Sequence, residues 1–91
     1  MDKYNELLEK CKEYVHLLWH TGSLNAFGMY GLTQMRMELH QEITELCKID
    51  YEETKGITDN LPIDFSIEPN EKDIKTIAEQ MANKLYKKIS R

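Results

Sequence analysis

The sequence lacks the features that define several large classes of protein. No stretch of its 91 residues is apolar over the roughly 18–20 positions that a membrane-spanning helix requires. Residues 1–10, MDKYNELLEK, are charged from the second position onward, which does not fit the apolar core of a signal peptide. We therefore expect a cytoplasmic protein that does not bind a membrane.

Cysteine is scarce, with Cys11 and Cys47 as the two examples. Both fall on or beside apolar helical faces. If the first two helices fold back on each other, Cys47 lies about 15 Å from Cys11 along the helix axis. A disulfide requires Cα atoms within about 7 Å. We therefore predict two reduced thiols that serve as small core residues.

Proline and glycine are also scarce, so long helical patterns run without interruption. From residue 2 to residue 20, apolar residues recur at three- and four-residue spacing, with Asp2 as a plausible N-cap. Leu17 lies outside that apolar stripe and close to the glutamates, so we expect it to be exposed. These 91 residues predict a single small helical domain.

A second helix is predicted to begin between Leu24 and Thr33 and to end near Ile49. Its apolar stripe predicts a core face made of Leu32, Met35, Leu39, Ile43 and Leu46. Met37 points away from this face, so we expect it to be exposed. The connection after this helix starts with the acidic residues 50–56, DYEETKG, which predict one helical turn or an extension of the second helix.

The remainder of the chain predicts an extended segment and a third helix. Apolar and polar residues alternate strictly over residues 61–67, which is a strand pattern. We expect a segment of about 57–68 that either straps across the helices or pairs with a partner chain. Asn70 then begins a C-terminal helix with basic residues in its last turns. The predicted fold is all-α: a helical hairpin plus a C-terminal third helix, with the extended segment.

The net charge of −4 is distributed unevenly. Residues 38–73 carry eleven acids against three bases, whereas residues 74–91 carry five bases against one acid. Such a division fits self-association between unlike patches or a protein partner with a basic surface. We expect a homo-oligomer, and the excess of acids argues against nucleic-acid binding.

Two clusters of polar residues have a spacing that is relevant to metal binding. Glu13, His16 and His20 have a ligand-like spacing, but they project from the side opposite the apolar stripe. The stripe Glu38, Glu42 and Glu45 resembles one half of the magnesium site in all-α nucleotide pyrophosphatases of the MazG type. Those proteins add a Glu-x-x-Asp on a later helix, and no such motif follows here. We predict no metal, no cofactor and no catalytic residue.

The stretch from Trp19 to Gly31, WHTGSLNAFGMYG, combines aromatic residues with three of the four glycines. Aromatic and apolar groups beside free helix amides can bind a protein partner or a planar, nucleotide-like ligand. A loop that simply closes the helical hairpin is the structural alternative. The residues of this stretch that we predict to bind a ligand or partner are Trp19, His20, Ser23, Asn25, Phe27, Met29 and Tyr30.

The leading functional hypothesis is a non-enzymatic interaction protein, a small regulator or inhibitor that binds a larger macromolecule. The composition, rich in Lys, Ile, Asn and Glu, resembles that of small proteins of AT-rich bacteria and their phages, so a phage-encoded antagonist of a host system fits this class. Alternative hypotheses are sequestration of a nucleotide-like ligand and a MazG-like magnesium-dependent pyrophosphatase. Secondary partner-binding residues are predicted at Leu17, Met37, Phe65, Lys84, Lys87 and Lys88.

Overall fold

The computed structural model describes residues 2–22 and 30–89, and its regular secondary structure is helical. The helices are α1 (Lys3–Thr21), α2 (Tyr30–Cys47), α3 (Tyr51–Thr58) and α4 (Glu71–Ile89). No strand occurs within these described ranges. The all-α prediction is confirmed, with one more helix than the sequence patterns indicated.

Helix α1 is the central element and packs against both α4 and α2. The Asp2 carboxylate caps it by accepting a hydrogen bond of 2.8 Å from the Asn5 amide, as predicted. The expectation that Leu17 is exposed was wrong, because its side chain is buried. Neighbouring helices cover α1 on two sides, so its buried arc is wider than the single apolar stripe seen in the sequence.

Helix α2 contributes to the core mainly through its C-terminal half. Leu39, Ile43 and Cys47 are buried, whereas no residue from 31 to 38 is. The prediction that Met35 belongs to the core was therefore wrong, and Met35 is exposed. Periodicity placed Met35 on the apolar face of α2, but nothing within residues 2–22 and 30–89 covers that part of the helix deeply enough to bury it.

A left-handed residue separates α2 from α3. Lys48 has φ = 55°, and its amide bonds to the Glu45 carbonyl at 3.2 Å while the Ile49 amide bonds to the Thr44 carbonyl at 3.4 Å. This pair of bonds is the Schellman termination, which ends a helix by reversing the chain. The Asp50 carboxylate then accepts a bond of 2.8 Å from the Glu53 amide and so caps α3.

The segment between α3 and α4 is not a strand. Leu61 and Ile63 are partly buried against the core, whereas Phe65 and Ile67 are exposed. The Ile67 carbonyl accepts a 3.1 Å hydrogen bond from the Trp19 indole nitrogen, which fastens this segment to α1. Pairing of residues 61–67 with a partner chain stays a prediction.

Helix α4 begins where the sequence predicted. The Asn70 side chain accepts a 2.9 Å hydrogen bond from the Asp73 amide and donates one of 2.8 Å to the Asp73 carboxylate. Residues of α4 that close the core against α1 are Ile77, Ala78, Met81, Ala82 and Leu85. None of the helices in the described ranges combines the length and the apolarity needed to cross a bilayer.

Candidate binding cleft

A cleft of about 630 Å³ lies between α2 and α3, with Tyr14 of α1 at its base. We call it the α2–α3 cleft. Its size falls within the range of roughly 300–1,000 Å³ that is typical of ligand sites. The Schellman turn at Lys48 creates it, because the reversal lays α3 beside the second half of α2. The side chains that line the cleft include Arg36, Met37, His40, Tyr51, Lys55 and Asp59.

His40 is the centre of an aromatic cluster in this cleft. Its imidazole lies 5.0 Å from the Tyr51 ring and 5.7 Å from the Tyr14 ring, measured between ring centroids, and both pairs are tilted. One ring therefore comes from each of α1, α2 and α3. Next to this cluster, the hydroxyls of Thr44 and Thr54 lie 2.9 Å apart and join α2 to α3. These contacts fix the two walls of the cleft relative to each other.

The charge of His40 is controlled by burial and by its neighbours. Burial lowers the pKa of the imidazole, and the positive charge of Arg36 lowers that pKa further. Asp59 acts in the opposite direction, and Lys55 adds a smaller lowering effect. The imidazole is therefore neutral at pH 7, since even its ordinary pKa is about 6.5.

Arg36 lies one helical turn before His40 and lines the same cleft. Its Nε atom is buried and has no hydrogen-bond partner in the part of the chain that the structure describes. Buried donors are nearly always paired, because an unmet hydrogen bond costs about 1–3 kcal/mol. An unpaired guanidinium donor in a cleft is therefore an unusual feature of this molecule.

Two large apolar side chains flank the cleft at the surface. Met37 and Tyr51 are each 58% exposed, although both also line the cleft. The prediction that Met37 is exposed is confirmed. Methionine, tyrosine and arginine are enriched in the centres of protein interfaces, and all three types occur together here.

The predicted aromatic binding stretch is only partly described. Ser23, Asn25, Phe27 and Met29 lie outside the described residues, and Tyr30 is the first residue of α2. Trp19 is 1% exposed, so its ring belongs to the core rather than to a surface patch. Its apolar ring is covered by the chain while its N–H is satisfied by Ile67, which leaves no surface for a ligand. His20 is half-buried, and its ring centroid lies 4.4 Å from that of His16.

The secondary predicted residues do not form one surface. Leu17 is buried, so it cannot contact a partner as predicted. Phe65 is 40% exposed and lies against Gly22 at the end of α1. Lys84 and Lys87 are exposed and Lys88 is half-buried, all in the last turns of α4. Only Met37 of this group lines the α2–α3 cleft.

The acidic residues of α2 are arranged as a solvated stripe. Glu38, Glu42 and Glu45 are exposed, and Glu42 pairs with Lys10 of α1 at 3.3 Å. Across residues 2–22 and 30–89, no three His, Cys, Asp or Glu side chains are grouped to hold a metal ion. A second cleft of about 550 Å³, between α1 and α4, is lined mostly by charged residues such as Glu13, His16 and Lys75.

Sequence reasoning missed Arg36, His40 and Tyr51 as candidate functional residues. Arg36, His40 and Thr44 follow one another at four-residue spacing beside the apolar stripe of α2, which places them on one face. The available signal that a further helix begins after α2 was Asp50 followed three residues later by Glu53, which is a helix-start signature. Comparisons with protein families, with curated proteins and with solved structures gave no significant match.

Proposed function

We propose that this protein is a non-enzymatic interaction module, a small regulator or inhibitor that binds a protein partner through the α2–α3 cleft. The observation that carries the proposal is the concave cleft between Met37 and Tyr51, two large side chains that are each 58% exposed. Apolar surface beside a cleft is stabilised when another molecule covers it. The partner would insert an apolar side chain between these two residues.

The chemistry of the side chains supports binding rather than catalysis. Both cysteines are buried and free, and burial raises the pKa of Cys11 to about 12. A nucleophilic cysteine needs an accessible thiolate, so neither thiol is placed for covalent chemistry. The neutral His40 is held between tyrosine rings, which is an arrangement that fixes shape.

The proposal includes the cellular setting inferred from the sequence. The module acts in the cytoplasm, it is a homo-oligomer in its free state, and its partner belongs to a larger system such as a host factor targeted by a phage protein. The supporting feature is the division of charge, with acids concentrated in residues 38–73. Unlike patches on separate surfaces favour both self-association and fast encounter with a partner.

The proposal is tested by capture of the partner with matched variants. Tagged wild-type protein, Met37→Ser and Tyr51→Ser are used to capture proteins from lysate of the source organism, and the recovered partner is then purified for affinity measurement. We expect each cleft variant to weaken binding roughly 5- to 30-fold, as truncation of an interface anchor does.

Met35→Ser is the matched control for this experiment. It removes another exposed methionine of α2 that does not line the cleft, so it should keep wild-type affinity. Far-ultraviolet circular dichroism confirms that each variant remains folded. If Met35→Ser weakened binding as much as Met37→Ser, or if all variants bound equally, the α2–α3 cleft would not be the partner surface.

A further inference from the structure

Arg36 is the only cation of the cleft that forms no ion pair within the described residues. Lys55, the other cation of the cleft, pairs with Asp59 at 2.8 Å. None of the ion pairs found in residues 2–22 and 30–89 includes Arg36. Its Nε donor is buried and unmet in the same part of the chain. Guanidinium groups bind oxyanions through several parallel hydrogen bonds, so the half-buried Arg36 side chain can bind an acceptor supplied by another molecule.

The other charges of the cleft restrict the kind of oxyanion. Glu38, Glu45 and Asp59 line it together with Arg36 and Lys55, so carboxylates outnumber cations. His40 adds no positive charge at neutral pH, because burial and Arg36 lower its pKa. These carboxylates repel any anion, and they repel a phosphate group with two negative charges, or the polyphosphate of a nucleotide, more strongly than a group with one negative charge. The one negative charge of a carboxylate is balanced by the one positive charge of Arg36.

The planar shape of a carboxylate also matches the guanidinium group of Arg36. Guanidinium and carboxylate groups are both planar and match in a two-pronged arrangement. Beyond Arg36, the cleft continues to Met37 and Tyr51, whose exposed side chains favour an apolar group. One occupant that satisfies both parts of the cleft carries a carboxylate close to an apolar side chain.

We propose that the α2–α3 cleft binds a segment of the protein partner in which a carboxylate stands next to an apolar side chain. The carboxylate accepts hydrogen bonds from Arg36, and the apolar side chain packs between Met37 and Tyr51. This inference rests on the proposed function, since it specifies what the partner presents. It differs from a nucleotide site, because the binding group has one negative charge and is planar.

The test uses purified ¹⁵N-labelled protein and two small probes. N-acetylphenylalanine carries a carboxylate next to an aromatic side chain, and N-acetylphenylalaninamide is the same molecule without the charge. Nitrogen–proton correlation spectra report both the Arg36 Nε–H signal and the backbone amides of α2 and α3. We expect N-acetylphenylalanine to shift the Arg36 signal saturably. N-acetylphenylalaninamide should bind at least roughly tenfold more weakly.

Variants test whether Arg36 binds the carboxylate of N-acetylphenylalanine. Arg36→Gln should abolish the response to N-acetylphenylalanine, and Arg36→Lys should weaken it because it keeps the charge without the planar group. Lys72→Gln removes an exposed cation of α4 outside the cleft and should bind as wild type. Equal binding of the two probes, or unchanged binding by Arg36→Gln, would overturn the inference. A stronger response to inorganic phosphate than to N-acetylphenylalanine would also overturn it.

Failure of this inference can be distinguished from failure of the proposed function. If the probes do not bind but partner affinity still depends on Met37 and Tyr51, the carboxylate preference is wrong and the cleft remains the partner surface. If N-acetylphenylalanine binds through Arg36 while Met37→Ser leaves the affinity for the partner unchanged, the cleft is a carboxylate site and the partner binds elsewhere.

Discussion

Gly22 ends α1 at the point where the ring of Phe65 lies against the backbone. Its φ of −88° is open to any residue, so the backbone conformation alone does not require glycine. A Cβ at this position would overlap the Phe65 ring and lie 2.9 Å from the Leu18 carbonyl oxygen. Glycine is therefore needed here because the Phe65 ring approaches the backbone closely.

Gly22→Ala should destabilise the protein by about 1–2 kcal/mol, as overpacking of a tight contact does. The free energy of unfolding is measured by urea denaturation followed by circular dichroism. Gly56→Ala is the control, since nothing lies within 4 Å of a Cβ built there. Because Gly56 is inside α3, its replacement should stabilise the protein by roughly 0.5–1 kcal/mol. Similar effects of the two substitutions would contradict the contact between Gly22 and Phe65.

The buried thiol of Cys11 makes the free energy of unfolding depend on pH. Burial raises the pKa of the Cys11 thiol to about 12, with a smaller contribution from the nearby Cys47; burial also raises the pKa of Cys47. In the unfolded chain a thiol ionises near pH 8.5. The folded state therefore keeps a proton that the unfolded state loses. This contribution to stability is complete below about pH 8.5 and is lost as the pH rises toward 12.

We predict that the free energy of unfolding falls with pH more steeply in the wild type than in Cys11→Ala. The difference in slope should be on the order of 1 kcal/mol per pH unit between about pH 9 and 10.5. Urea denaturation under reducing conditions at several pH values measures both slopes. Other groups that titrate in this range are common to both proteins, so parallel profiles would show that the Cys11 thiol ionises normally in the fold.

Burial of individual residues was predictable where a residue lies in the middle of an apolar stripe. Cys11 and Ile43 were assigned to the core correctly because they lie in the middle of their apolar stripes. Leu17 and Met35 were assigned wrongly because their burial depends on how far neighbouring helices extend, which periodicity does not contain. Trp19 was predicted to bind a ligand or partner, but it is buried, and its hydrogen bond to the Ile67 carbonyl is a contact across 48 positions of sequence that local patterns do not show.

The short helix α3 depends on its boundaries more than the longer helices do. It has 8 residues, and an isolated helix of that length is unstable in water. The Asp50 cap, the Thr44–Thr54 contact and the left-handed Lys48 together hold it against α2. Since α3 forms one wall of the α2–α3 cleft, its stability controls the shape of the candidate site.

Lys48→Gly should stabilise the protein by about 0.5–1 kcal/mol, because glycine adopts a positive φ without the cost that lysine carries. The midpoint of urea unfolding should rise accordingly. Lys48→Val provides the contrast, since a β-branched residue in the left-handed region is strained and should lower the midpoint. If both substitutions lowered it equally, the lysine side chain itself would be the stabilising group.

The boundaries of α1 and α4 were predictable, and those of α2 and α3 were not. Asp2 and Asn70 are local capping signals that lie directly before long apolar stripes. The end of α2 was expected near Ile49, because no glycine marks the Schellman turn and Lys48 takes that position instead. Because the sequence carries no signal for this turn, it could not show that α3 folds back against α2. The cleft between α2 and α3 was therefore not predicted.

At the level of the whole molecule, different parts of the helices form the core and the candidate binding surface. Helices α1 and α4 and the second half of α2 supply the packed interior. The uncovered first half of α2 and the short α3 present Met37, Arg36 and Tyr51 beside that interior. Binding of a partner at this surface would stabilise α3 and the exposed part of α2, while α4 would remain as it is in the free protein.

Hydrogen–deuterium exchange of the protein with and without its purified partner tests this account most directly. We predict that the partner slows exchange of the backbone amides in Arg36–Glu45 and in α3, with little change in α4. The Met37→Ser protein, measured at the same partner concentration, should show less protection in the same segments. Protection that is confined to α4 or to the start of α1, with α2 and α3 unchanged, would contradict the assignment of the α2–α3 cleft as the binding surface.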